Sequence, residues 1–166
     1  MATRQNVKLA SAVQEAAGQP LDQSLLLNLV GYNCRRAYLT IIPLFEERMK
    51  KFNLRAVDFT VLTLLHANPN ITQKRLSKAV NVSPPNLAIL LDRLEERGLV
   101  MRQRNPLDKR SQALVLTAEG TKLCLKAEKT VTELELEATS MLSDAERAQL
   151  VSLLQKIFIR EEEAEG

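Results

Sequence analysis

The stretch that most constrains this chain runs from Asn70 to Thr117, NITQKRLSKAVNVSPPNLAILLDRLEERGLVMRQRNPLDKRSQALVLT. It holds two helix starts in close succession. Thr72 is a side-chain cap, with Ile71 before it and Leu76 at the fourth helical position, the spacing of a hydrophobic staple. Leu76, Ala79 and Val80 then predict one buried stripe. Ser83 repeats the cap, Pro84 takes the first helical position, where no amide bond is lost, and Val82 is placed to staple onto Leu87. Gly98 supplies the left-handed residue that ends the second helix. Two capped helices joined by so short a turn predict a helix-turn-helix unit.

The second helix has two faces. Leu87, Leu90, Leu91 and Leu94 recur at helical spacing and predict a core stripe. Off that stripe, Asn86, Ile89 and Arg93 form a second line carrying an amide, an apolar surface and a guanidinium. Those groups suit adenine, the thymine methyl, and guanine or phosphate in a major groove. The alternative is that Ile89 packs on a neighbour and Arg93 is merely solvated. The capped helix starts place Thr72, Gln73, Ser83 and Pro84 on the same prospective DNA face.

A hairpin follows. Leu99, Met101 and Gln103 alternate with Val100, Arg102 and Arg104, Asn105-Pro106 breaks the strand, and Ala113 to Leu116 returns as its partner. The tip carries Asp108, Lys109 and Arg110. Two adjacent cations on an exposed tip suit a minor groove, and Asp108 is placed to stiffen the loop and aim Arg110. From Thr72 to Gln112 there are nine Lys and Arg against four Asp and Glu, a local balance of +5, whereas the whole chain is +3. The basicity is concentrated in one segment, which is the footprint of a polyanion partner.

These residues resemble the MarR family of winged-helix regulators over Leu25 to Phe158. The most specific parts are the DKR tip, which fits that family's D-x-R pattern, the GLV entry to the wing, and LTAEG leaving it. The resemblance implies a mainly α fold with a small β-hairpin wing, a winged helix-turn-helix joined to a helical dimerisation region. It also implies a cytoplasmic homodimer that binds a pseudopalindromic DNA operator, represses, and is released by a small phenolic or aromatic ligand. On this reading residues 1–20 are an N-terminal arm, 21–52 and 118–163 the dimerisation region, and 53–117 the DNA-binding domain.

The flanking helices supply the rest. Leu21 to Lys51 predicts one long helical segment that Pro43 kinks or divides. Leu25, Leu29, Tyr32 and Arg36 share one side of it, so a guanidinium falls on an apolar stripe and calls for an anionic partner. The phrase GYNCRRAYL resembles a GY-x-x-RRA pattern of one MarR subgroup. That resemblance implies an aromatic carboxylate or aromatic acyl-CoA effector, with Tyr32, Arg35, Arg36, Tyr38 and His66 as the ligand set. A carboxylate of the same or the other subunit is the alternative partner for Arg36. Val57, Val61, Leu64 and Leu65 predict a compact helix beneath the reading unit, and His66, the one histidine, reads as a packed or capping residue. Thr117 caps a helix through Leu123, Ala127, Val131, Leu134 and Ala138. Ser143 and Glu146 form a capping box for a last helix whose Leu150, Leu153, Leu154, Ile157 and Phe158 make a broad apolar face, which a second copy would cover.

Composition excludes more than it identifies. With 166 residues and 45 % apolar content, one domain with its own core is the default. No apolar run has the length of a membrane span or of a signal core. Cys34 and Cys124 stand far apart in no C-x-x-C pattern, so neither a disulfide framework nor a metal site is expected, and no cofactor. Cys34 lies beside Arg35 and Arg36, a setting in which thiols become reactive, so a thiol-based redox regulator is one alternative. A winged helix used for protein contacts is another, which the basic tip opposes. No catalytic motif is present, and an enzyme is not expected.

Overall fold

The structure, a computed structural model, describes residues 21–104 and 112–159. It falls into two compact units, one ending at Leu39 and the other beginning at Thr40. The expected arm at residues 1–20, the wing tip with Asp108, Lys109 and Arg110, and the acidic end of the chain lie outside the described residues.

In the first unit a short helix α1 (Ser24–Leu27) precedes the opening of helix α2 (Val30–Met49). The expected single helix from Leu21 is thus broken at Asn28 and Leu29. Two asparagines account for the break. The Asn28 side-chain amide donates to Ser24 O at 2.8 Å, and that of Asn33 donates to Leu27 O at 2.9 Å and Leu29 O at 2.8 Å. Ser24 O and Leu27 O are thereby satisfied by side-chain amides, while Leu29 O also keeps the Asn33 backbone amide at 3.1 Å as α2 begins. Leu25 therefore does not share one helical stripe with Tyr32 and Arg36. Pro43, in contrast, does not divide α2, which runs on through it to Met49.

The second unit holds the core. The end of α2 is followed by a 3-10 turn, Lys50–Phe52, and by helix α3 (Ala56–Ala67). Strand β1 (Ile71–Thr72) leads into helix α4 (Gln73–Val80) and helix α5 (Pro84–Glu96), then strands β2 (Val100–Arg104) and β3 (Gln112–Leu116). Helix α6 (Ala118–Ala138) and helix α7 (Asp144–Phe158) close the chain. Phe45 and Met49 of α2 are buried with Val61, Leu62 and Leu65 of α3, Leu76 of α4, the α5 leucines and Leu134 of α6. Phe45 and Phe59 meet edge to face at 5.8 Å, a favoured aromatic geometry.

The expected two-stranded ribbon has a third strand. β3 lies between β1 and β2, pairing Ile71 with Leu114, Thr72 with Ala113, and Val100 through Arg104 with Leu116 back to Gln112. Two residues are too short to show an alternation, so β1 left no pattern to read. Its effect is to fix the start of α4 to the root of the wing. The turn between α4 and α5 is set by Asn81, left-handed at φ 52°, and by the Ser77 hydroxyl, which donates to Val82 O at 2.6 Å. That bond explains why Ser77 is buried, while Ala79, expected in the stripe, is exposed.

Three of the four expected caps are made. Thr72 accepts from Arg75 N at 3.4 Å, Thr117 from Gly120 N at 2.9 Å, and Ser143 and Glu146 complete their box. Ser83 stands at the N-cap of α5 but makes no side-chain cap bond. Pro84 and Pro85 occupy the first two helical positions and supply no amide there, which leaves Asn86 N at the third position as the candidate donor, and Ser83 does not accept from it.

Candidate nucleic-acid interface

Helix α5 presents the two faces expected of it. Leu87, Leu90, Leu91 and Leu94 are all buried. Asn86 is exposed and Ile89 is 69 % exposed, a large apolar side chain held in solvent. Both line an open groove of about 520 Å³ with Arg55, Val57, Val82, Leu90 and Arg93. Ser83 and Pro84 at the start of α5 are exposed, whereas Thr72 and Gln73 at the start of α4 are half-buried, Thr72 engaged in its cap.

Arg93 shares that groove and is also engaged within the protein. One of its terminal amines donates to Asp58 Oδ1 of α3, and its Nε is buried without a partner among the described residues. Asp58 is fully buried. Its other oxygen accepts from Arg55 N at 2.9 Å and from Arg55 Nε at 3.4 Å, closing the first turn of α3. The guanidinium therefore fixes α5 to α3, a role across the fold beyond the base or phosphate contact expected of Arg93. A charged pair held this way sets position, since a desolvated carboxylate must keep its donors.

Two further arginines of the basic segment are also committed within the protein. Arg97 donates to Asn53 O at 2.8 Å and Phe52 O at 2.9 Å. Arg102 on β2 pairs with Glu95 and, at 2.6 Å, with Asp92 of α5, which ties the wing to the reading helix. Gln103 donates to the Asn70 side chain at 2.8 Å. Exposed cations on this side include Lys74 and Arg75 of α4 and Arg104 at the end of β2, together with Arg55, which lines the groove while holding Asp58. The surface charge thus sits on the first helix of the pair, at the start of α3 and on the wing, and the second helix offers an amide and an apolar side chain.

Thr117 forms a junction behind this surface. Its hydroxyl donates to Gly98 O at 2.6 Å and accepts from Gly120 N at 2.9 Å, while its amide donates to Leu99 O at 3.0 Å. Gly120 packs so tightly there that a Cβ would stand 1.9 Å from Leu99 O. The final glycine of LTAEG is therefore required by close approach.

The expected ligand residues are divided between the two units. On α2, Tyr32 is half-buried with its hydroxyl donating to Gln23 Oε1 at 3.0 Å, and Arg35, Arg36, Tyr38 and Cys34 are exposed. His66, in the second unit, is engaged with α6, its Nδ1 lying 3.4 Å from Glu128 Oε1. The Cys124 thiol donates to the same oxygen at 3.3 Å. Burial, then Glu128, pushes that thiol up to about 12, while the nearby Thr63 hydroxyl acts in the opposite direction. The sequence expectation of no metal-spaced set missed this cluster, because its members stand on two helices and His66 is 62 positions from Glu128.

Arg55 and Asp58 were also missed as parts of the reading unit. One sign was present: Asp58 is the single acid in LRAVDFTVLTLL, and a charge inside an apolar helix implies a buried partner.

Comparison with known proteins agrees with this geometry. The profile described as the MarR family matches residues 54–112. A curated relative, a putative transcriptional regulatory protein for the hcr operon from Thauera aromatica, is 30 % identical over 105 residues, and the match spans 63 % of this chain and 63 % of that protein. Among solved structures, the transcriptional repressor CouR bound to a 23-mer DNA duplex is 36 % identical with a TM-score of 0.77, covering 84 % of this chain and 99 % of that one. CouR bound to p-coumaroyl-CoA is 34 % identical with a TM-score of 0.71, covering 83 % and 97 %.

Proposed function

This chain belongs to the MarR family of transcriptional regulators, and from that premise we propose that it is a repressor that binds a pseudopalindromic operator as a homodimer and is released by an aromatic acid or its CoA thioester. The observation that carries the DNA-binding part is the exposed pair Asn86 and Ile89 on a helix held in place by Arg93 and Asp58. A rigid helix with an amide and an apolar side chain turned outward has the groups that read an A·T-containing major-groove site. Lys74, Arg75 and Arg104 flank that pair and supply phosphate contacts, which position the protein without specifying sequence. Thr72 and Gln73 lie at the start of α4, where backbone N–H groups favour phosphate oxygens, and Ser83 and Pro84 are exposed at the start of α5. Lys109 and Arg110, which lie outside the described residues, are assigned from the sequence to further phosphate or minor-groove contacts.

The dimer rests on apolar surface that one chain leaves uncovered. Leu150, Val151, Leu153, Ile157 and Phe158 of α7 are exposed, and in the first unit so are Leu25, Leu27 and Val30. A second copy covers such faces with closed twofold symmetry. The effector assignment rests on Tyr32, Arg35, Arg36 and Tyr38, which gather two guanidiniums and two phenols along the opening turns of α2. That set matches a carboxylate or phosphates joined to an aromatic ring. The CouR neighbour solved with p-coumaroyl-CoA supports the same class.

A footprint of the purified protein on the DNA upstream of its own gene tests both parts. Two protected half-sites about 10 base pairs apart, centre to centre and related by a dyad, are expected. Adding p-coumaroyl-CoA should weaken binding by about 5- to 150-fold, a coupling of about 1–3 kcal/mol. Replacing Arg35 and Arg36 together by Ala should abolish that response and leave ligand-free binding intact. A footprint without dyad symmetry defeats the dimer reading, and an undiminished response in the double variant moves the effector elsewhere.

A further inference from the structure

We propose that His66, Cys124 and Glu128 form a three-ligand site for a thiophilic divalent transition metal, with zinc as the type case. One imidazole nitrogen, one sulfur and one carboxylate oxygen lie within 4.8 Å of one another, brought together by the end of α3 and the first half of α6. Cys124 and Glu128 stand one helical turn apart on the same face, which is the spacing two ligands from one helix require. The imidazole comes from the facing helix and closes the set.

The distances fit the ion. With Zn–S near 2.3 Å and Zn–N and Zn–O of about 2.0–2.1 Å, the edges of a tetrahedral site come to about 3.3–3.6 Å. Two edges already have that length, sulfur to carboxylate at 3.3 Å and imidazole to carboxylate at 3.4 Å. The third needs a rotation of His66 toward Cys124. That side chain is 36 % exposed and has room to turn, whereas Cys124 is wholly buried and fixed. The same partial exposure of His66 and Glu128 gives an ion its way in and leaves the fourth position to water, as in sites with three protein ligands.

The donor set also fixes the class of ion. A sulfur with an imidazole selects zinc and its neighbours over magnesium or calcium, which take oxygen ligands. Binding forms the sulfur–metal bond as the thiol gives its proton to solvent; the imidazole binds in its neutral form through the ring nitrogen that carries no proton, the other nitrogen keeping its N–H, and the carboxylate gives up the thiol hydrogen bond for a metal bond. Position adds a consequence: α3 carries Asp58 at its start and His66 at its end, so an ion here clamps the helix that braces the reading helix onto α6.

Cobalt(II) titration of the chelator-stripped full-length protein tests the proposal, with no dependence on DNA binding. Saturation at one cobalt per chain is expected, with a thiolate-to-cobalt charge-transfer band and the intense visible bands of a tetrahedral ion, both displaced by zinc. Cys124→Ala and His66→Ala should each remove the charge-transfer band, and Cys34→Ala should retain it. Because Cys124 is in the core, Glu128→Gln provides an arm at a half-buried position, with cobalt affinity expected to fall at least tenfold and the thermal transition of the metal-free protein to stay cooperative. Absence of a charge-transfer band in the unaltered protein at saturating cobalt overturns the site. So does a band that survives Cys124→Ala, one lost in Cys34→Ala, or an affinity unchanged in Glu128→Gln.

Discussion

Asp58→Ala isolates the link between core and reading helix. The wild-type carboxylate is fully buried and takes the Arg55 amide at 2.9 Å, the Arg55 side chain at 3.4 Å and a terminal amine of Arg93. Loss of the helix-start bond costs about 1 kcal/mol, because the orphaned N–H lies near solvent. Removing one partner of a buried ion pair costs roughly 3–5 kcal/mol when the other charge stays dry. Here the Arg93 side chain is 36 % exposed, so its terminal amines regain water and only the buried Nε stays unsatisfied. The lower end of that range applies, and with the helix-start bond the total comes to about 4 kcal/mol. Urea unfolding of Asp58→Ala, Arg93→Ala and the double variant measures it, and the coupling between the two sites should lie at about 1–2 kcal/mol. Operator affinity should fall in Arg93→Ala by a similar factor on cognate and altered half-sites, since a brace positions the helix and reads no base. Loss of discrimination at a single base pair, or additivity within about 0.3–0.5 kcal/mol, would refute the brace.

Other consequences are as direct. Lys74→Ala, Arg75→Ala and Arg104→Ala should each lower the salt slope of DNA binding by about one, whereas Arg102→Ala, already paired with Asp92 and Glu95, should leave the slope unchanged; equal slopes for all four would remove the assigned contacts. Gly120→Ala should destabilise the fold by at least about 1–3 kcal/mol in chemical denaturation, because the new Cβ meets the Leu99 carbonyl and not a movable side chain; a loss below about 0.5 kcal/mol would contradict the contact. Iodoacetamide should label Cys34 in the native state and Cys124 only after unfolding. Because the folded Cys124 thiol is raised from 9.0 to about 12, its contribution is complete below 9.0 and is lost as pH climbs toward 12, so stability should fall across that window, less steeply in Cys124→Ala.

The helix-turn-helix was legible because its signals are local. A cap, a proline at the first turn and four leucines at helical spacing each act within a few residues, and the structure departs from them at Ser83, which makes no side-chain cap bond, and at Ala79, which is exposed. The faces of α5 were legible for the same reason. What a side chain touches across the fold was not. Arg93 has the spacing of a base reader and is held by Asp58, 35 positions earlier. The break at Asn28 depends on side-chain amides capturing carbonyls, which periodicity of apolar residues does not register. His66, Cys124 and Glu128 share a cluster only because α3 and α6 pack together, and nothing in either helix alone announces the other.

The junction at Thr117 bears on how such a protein is switched. One hydroxyl joins the end of the reading helix to the start of the last long helix pair, and a glycine in van der Waals contact with the Leu99 carbonyl leaves no slack between them. A hinge needs residues whose torsions change at little cost, and this corner has none to spare. Reading helix, wing root and the opening of α6 consequently turn as one rigid casting. In the dimer proposed above, an effector would have little to gain by bending this module and would act by changing how far apart two undeformed modules stand, so that its signal would be a separation matched or mismatched to the pitch of DNA.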